Sequence, residues 1–352
     1  MLVTPAALPV GAVDVDEPAT GQATLTLATP GFIVNGPVMV VGGTAEITSD
    51  VAAGAGGMTA AALVVDGPAN PGGPTATIES QATKVTVTAG SVAVGLAAAG
   101  RLGVLGGGSL VADGAKGMVV GGGPASNGEV TVGSGGQLAV PRGPLVVGDR
   151  GTGDLTVTGG AQPAQQPPTP LSCASLEVGL GTGGHGTVDV YAGAAAGALS
   201  VGAGKGSTGD LAIRYSKFDV RGPSNVGSAA GSTAMVAVQD ATLTSGGGGA
   251  VTAGGGGSAT VVLSDGANWW VGPSDQPVAN LGALAIAGGA AEGACGGQAR
   301  REQDCGRRAK RRWFGRPPEV WQWRGAGQGD RSCHSGRKIV TEALAASGRR
   351  AG

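Results

Sequence analysis

Four cations, Lys205, Arg214, Lys217 and Arg221, are grouped in one stretch of this 352-residue chain, with Tyr215 and Phe218 between them. Clustered charge with interleaved aromatic rings is what a surface needs to contact a polysaccharide. Arg214, Tyr215, Lys217, Phe218 and Arg221 are therefore the candidate ligand contacts. The same segment, RYSKFDVR, also reads as a longer solvated outer strand with no ligand.

The remaining motifs fail on spacing. Gly179/Gly181/Gly184 and Gly204/Gly206/Gly209 both match the dinucleotide pattern GxGxxG. A Rossmann turn needs a helix-forming run directly after it, and neither stretch has one. Gly204-Lys205-Gly206-Ser207 lacks a Ser or Thr directly after the lysine, and no glycine precedes Gly204 at the spacing a phosphate loop requires. Gly153-Asp154 and Gly209-Asp210 carry single, widely separated acids, whereas calcium-binding β-rolls need tandem units with repeated Asp. They read as exposed residues closing turns. His185 is the one histidine before the C-terminal region, and there is no G-x-S-x-G elbow for a Ser–His pair. No catalytic residue, metal ligand or cofactor-binding residue is assigned, and no cofactor is expected.

What would position the RYSKFDVR segment is a repeat. Of the 352 residues 72 are Gly, only 3% are aromatic and 13% charged, so the chain cannot build one thick aromatic-anchored core. Collagen is excluded because the glycines do not recur every third residue. Plain disorder fits poorly, since short alternating runs such as Leu155-Thr156-Val157-Thr158 recur. A unit of apolar run, Val-Gly, Gly-rich turn and alternating strand reads LVVGDRGTGDLTVTGGA from Leu145 and LEVGLGTGGHGTVDVYAGA from Leu176. Its opening glycine falls at Gly95, Gly121, Gly148, Gly179, Gly202, Gly227 and Gly254, at intervals of 26, 27, 31, 23, 25 and 27. A period in this range means stacked repeats, and the two-residue alternation makes the unit β. The longest interval contains QPAQQPPTP, residues 162–170, which reads as a loop pushed out of one coil. Val146, Val147, Leu155 and Val157 are expected in the strands, with Val147 and Val178 stacked inside. Thr156, Thr158, Asp189 and Asp210 are expected outside. Gly148, Gly151 and Gly153 are expected at turns with positive φ. The fold class is all-β, a right-handed parallel β-helix (β-solenoid), the handedness following the general rule for parallel crossovers.

These VGxxGxGxLxVxxGA units, over about 92–291, resemble the repeats shared by autotransporter (type V secretion) passenger proteins and PEP-CTERM-associated surface proteins. Asn268-Trp269 after Asp265-Gly266-Ala267 is similar to the same style of unit. The resemblance implies a non-enzymatic structural or adhesive β-helix rod that is secreted or exposed at the cell surface, associated with the outer membrane. The partners it implies are host-surface or polysaccharide ligands. A β-helical polysaccharide-acting enzyme fragment is the alternative, and it would need RYSKFDVR to line a carbohydrate groove.

Charge separates the chain into regions. Residues 1–290 hold nine Lys/Arg against 18 Asp/Glu, and residues 291–352 hold 14 against six. The organisation expected is degenerate β repeats over 1–90, glycine-rich β-helix repeats over 91–290 and a basic Arg/Trp/Cys-rich tail over 291–352. The tail is expected to be disordered or aberrant and to pack against nothing. Its loss of periodicity and its Arg, Trp and Cys bias are what a shifted reading frame in a GC-rich gene produces. The other reading is a genuine basic segment, and only then is nucleic acid a partner. Cys295, Cys305, Cys333 and His334 lack metal-site spacing. The opening residues, MLVTPAALPV, lack the basic start of a secretory signal, which is read as a true start upstream or another export route. No segment reaches the ~18 uninterrupted apolar residues of a membrane-spanning helix.

Overall fold

The computed structural model describes residues 11–15, 22–27, 32–42, 44–49, 57–67, 75–78, 84–133, 135–159, 169–247, 249–252, 256–271, 284–287, 290–295 and 319–324. Among them every regular element is a β-strand, and no helix is long and apolar enough to cross a membrane.

Each repeat lays down three strands. In one coil these are Met118–Val120, Asn127–Gly133 and the first part of Gln137–Val147. Each pairs in parallel with its equivalent one repeat on: Met118 with Leu145, Asn127 with Thr152 and Leu138 with Leu171. The strands therefore form three walls, here called first, second and third in chain order. The second wall is a sheet of 12 strands. The first and third merge into a 17-stranded sheet, because strands such as Gln137–Val147 and Leu171–Val178 run unbroken from the third wall into the next coil's first. The corner between those walls is marked by a register shift between Val140 and Pro144. Pairing of this kind, each strand with its counterpart a repeat away, is the expected parallel β-solenoid.

Alternation fills the interior. Thr152–Thr158 buries Gly153, Leu155 and Val157 and turns Asp154, Thr156 and Thr158 outward. In register, Leu102, Val130, Leu155, Val188, Leu211 and Val236 make one buried column of the second wall. Val147 and Val178 are register partners in the first wall, and both are fully buried. The columns of all three walls join in a single hydrophobic cluster. Each fully buried Val or Leu contributes about 1.5–3 kcal/mol, and contacts reach only neighbouring coils. Where one column narrows to Ala194, the next coil supplies Phe218. Small beside large keeps the layer filled.

The corner between the first and second walls explains the glycines. Gly148 has the expected positive φ, the opening glycines Gly95, Gly121, Gly179, Gly202 and Gly227 share it, and Gly254 lies outside the described residues. At Gly148 (φ 72°) a Cβ would also sit 2.2 Å from the His185 carbonyl oxygen of the next coil. Gly153 corrects the expectation of positive φ. It lies inside its strand, and it must be Gly because a Cβ would lie 2.4 Å from both the Val120 oxygen and the Gly148 nitrogen. Gly151 likewise has no positive φ, and a Cβ there would meet the Ser126 hydroxyl at 2.3 Å. Gly100, Gly128, Gly153, Gly186 and Gly209 stack in register along this corner, continued by Ala234 and Ala259.

At the C-terminal end the solenoid crosses the composition change. Ala290–Cys295 pairs in parallel with Ser258–Ser264, and Glu319–Arg324 then pairs antiparallel with Ala290–Cys295. The expectation of a tail that packs against nothing is corrected for residues 291–295 and 319–324, whose backbones are paired. An exposed edge strand offers unpaired N–H and C=O groups, and EVWQWR has the β-branched and aromatic residues that suit pairing with it. The rest of the tail, and the loop 162–168, lie outside the described residues.

The two demands on glycine can be separated by mutation. Gly183 has φ 71° but open space around its Cβ position, so Gly183→Ala should cost about 1–2 kcal/mol from the left-handed backbone alone. Gly148→Ala adds the clash with the next coil and should lower the urea midpoint at least twice as much, opening new protease sites on both sides. Equal midpoints would show that the backbone approach is not the constraint.

Candidate functional site

The candidate segment sits where the second wall ends and the third begins. Thr208–Arg214 closes the second-wall strand, Tyr215 and Ser216 turn, and Lys217–Val220 opens the third wall. Tyr215 takes φ 54°, and the residues after Arg214's register partners, Asp240 and Asp265, take φ 45° and 55°. This left-handed residue resets the in–out alternation. Phe218 consequently points inward and is completely buried between Ala194 and Leu243 in register. Phe218 is core rather than a ligand contact, a correction to the sequence reading. Arg214, Tyr215, Lys217 and Arg221 remain on the outside.

Most of these charges are tied up locally. Arg214 Nη1 donates to Asp189 Oδ1 at 2.9 Å and to Tyr191 Oη at 2.5 Å, and its guanidinium carbon lies 5.3 Å from the Tyr191 ring centre. Asp189 and Tyr191 belong to the preceding coil. Lys217 pairs with Asp219 at 2.9 Å, and Thr244 Oγ1 donates to the other Asp219 oxygen at 2.6 Å. Gln239 Nε2 donates to Asp265 Oδ2 at 2.8 Å. Partly exposed pairs of this kind are worth about 0.2–1 kcal/mol each, so they fix geometry more than they stabilise the fold. Tyr191 was missed in the sequence. Its signal was the period itself, since it stands one coil before Tyr215.

The chain matches no family model, no curated protein and no solved structure. The site is therefore read from its own geometry.

The other sequence motifs find their places in the turns. Gly179 and Gly206 supply positive φ, Gly184 and Gly204 lie against the preceding coil, and Gly209 is in the tight column, so the two GxGxxG matches are corners of successive coils. Lys205 is exposed at a turn tip, and Ser207 Oγ closes that turn by donating to the Gly204 oxygen at 2.8 Å. Ser126 closes an equivalent turn in an earlier coil, donating to the Gly123 oxygen at 2.7 Å. His185 is exposed at the start of its strand, in register with Thr152 and Thr208. Asp154 and Asp210 lie on the outer face, and among the described residues no three His, Cys, Asp or Glu gather as a metal site. Cys305, Cys333 and His334 lie outside the described residues.

Two features of the wall are chemically distinctive. Cys173 faces the interior beside Ala196, and burial pushes its thiol up to about 12. Deeper along the rod, Ser224 and Ser245 are fully buried with their hydroxyls 2.6 Å apart, and Trp269 Nε1 donates to Ser245 Oγ at 2.8 Å.

Cys173 should thus resist alkylation in the native protein and react once urea opens the coils. Peptide mapping after iodoacetamide treatment checks this, and rapid native labelling would contradict the buried placement. Asp210 gives a pH prediction. Burial raises its pKa above the ordinary 3.8, partly offset by the charge of His185. A raised carboxyl pKa means the folded state binds the proton more tightly. That stability is fully present below 3.8 and is lost as pH rises through the raised value. Asp210→Asn should therefore raise the urea midpoint at neutral pH, with the gain disappearing in acid. A lower midpoint at neutral pH would mean the carboxylate is held by a favourable partner.

Proposed function

We propose that this chain is a non-enzymatic structural and adhesive rod, secreted or exposed at the cell surface, of the autotransporter-passenger kind. The observation that carries the reading is the parallel β-solenoid itself, stacked from glycine-cornered coils whose outward positions are mostly small or polar, with Leu96 and Met235 among the exceptions. Coil-on-coil stacking gives length and a repetitive outer surface, which suit reach and contact at many points rather than a single deep cleft. The local pairing of Arg214 with Asp189 and Lys217 with Asp219 supports the same reading, because those cations are committed to holding side chains in place. Polysaccharides or host-surface molecules are the partners this surface would meet.

Brief protease treatment of intact source cells should release peptides from 92–290, and the purified chain should bind surface glycans without shortening them. Recovery of those peptides only after lysis would overturn the surface placement. New reducing ends or unsaturated products from a bound polysaccharide would overturn the non-enzymatic assignment in favour of a β-helical polysaccharide-acting enzyme.

A further inference from the structure

We infer that the corner formed by Tyr191, Arg214, Tyr215 and Gln239 is a binding site for neutral sugar chains lying along the rod axis. The inference rests on the adhesive reading for its ligand class, and on the corner's own geometry for its place.

The chain has two tyrosines, and both are here. Tyr191 is 39% exposed and Tyr215 66% exposed, on consecutive coils. Tyr215 is the more telling. Its backbone is left-handed, a conformation that Asp tolerates and that is an outlier for a bulky side chain. The equivalent residues of the next two coils, Asp240 and Asp265, obey that preference. Tyr215 thus occupies a strained position while leaving most of its ring in solvent, so it gains little by packing. Strain kept without a structural return marks a functional position.

The polar groups beside it are prepared for contact. Arg214 is fixed by Asp189 and by the Tyr191 hydroxyl and ring, and Gln239 on the next coil is fixed by Asp265. Guanidinium, carboxylate and amide groups held in place by these bonds offer donors and acceptors that match ring hydroxyls, while an exposed tyrosine face covers the apolar face of a sugar ring. Successive coils repeat at about 4.8 Å, close to the span of one sugar ring, so an extended glycan meets a new coil with about each residue. Charge selects against an acidic ligand. Arg214, Lys217 and Arg221 are opposed by Asp189, Asp219, Asp240 and Asp265, leaving this corner near neutrality and without the positive excess that a polyanion needs.

The test uses the full chain on an immobilised panel of neutral and acidic glycans, with affinity electrophoresis in each neutral polysaccharide that scores. At least one neutral glycan should retain the protein. Tyr215→Asn should weaken that retention at least tenfold while leaving the melting temperature equal or higher, because Asn suits the left-handed backbone. Tyr191→Ala should weaken it as well. Lower stability in Tyr215→Asn would make the ring structural and overturn the proposal. Retention by acidic glycans alone, or by neutral ones with Tyr215→Asn unchanged, would overturn this site while leaving the adhesive rod standing. No retention by any glycan would overturn the site, and with binding to whole cells also lacking it would remove the adhesive reading too.

Discussion

Everything in this structure depends on how closely one coil's backbone approaches the next at the corner between the first and second walls. Val120 O and Gly148 N lie so near Gly153 that no side-chain atom fits between them. That approach lets the chain turn sharply while both flanking strands keep their parallel partners. A Cβ at Gly153 would collide with Val120 O and Gly148 N, whereas farther along the rod the same column accepts the Cβ of Ala234 and Ala259 with the parallel pairing kept. Each coil's hydrogen bonds are made only to its neighbours. The glycine content of the chain is the compositional trace of this repeated contact.

Inside that frame the layers are thin, and volume is matched between adjacent coils rather than across a large core. Phe218 stacked on Ala194 is one case. Cys173 is another, a small soft side chain in a column otherwise held by Val140, Ala196 and Val220, where it behaves as a hydrophobe. Outside, the same register that stacks the core brings groups from different coils together. Asp189 and Tyr191 reach Arg214 because they are one repeat apart, not because they are close in sequence. Any site on such a molecule is built across coils.

The period and the two-residue alternation made the solenoid legible, since both are direct projections of coil length and strand geometry onto sequence. Val147 and Val178 could be placed inside by that rule alone. Glycine's two uses could not be told apart, because Gly183, needed for its backbone angle alone, and Gly153, needed for space, are the same letter. The corner at Tyr215 was also invisible. A single left-handed residue reverses the phase of the strand after it, so Phe218, assigned beside Tyr215 as a contact, faces the core. Tyr191 was legible in principle and was missed because the segment was read along the chain instead of across the stack. The strand at Glu319–Arg324 was hidden by the change in composition, which says nothing about whether an open edge will be paired.

The buried Ser224–Ser245 pair, capped by the partly buried Trp269, has a consequence for assembly. Columns of Val and Leu are nearly interchangeable, so a coil displaced by one repeat would still find apolar partners and much of its backbone pairing. A hydroxyl pair answered by an indole N–H occurs at one level of the rod only, among the described residues. Slipping the stack would strand those polar groups against aliphatic neighbours, at a cost of about 1–3 kcal/mol for each unanswered group. The cluster therefore acts as an address within an otherwise degenerate lattice, distinguishing the correct frame from its translated copies as a lone buried polar residue does in a coiled coil.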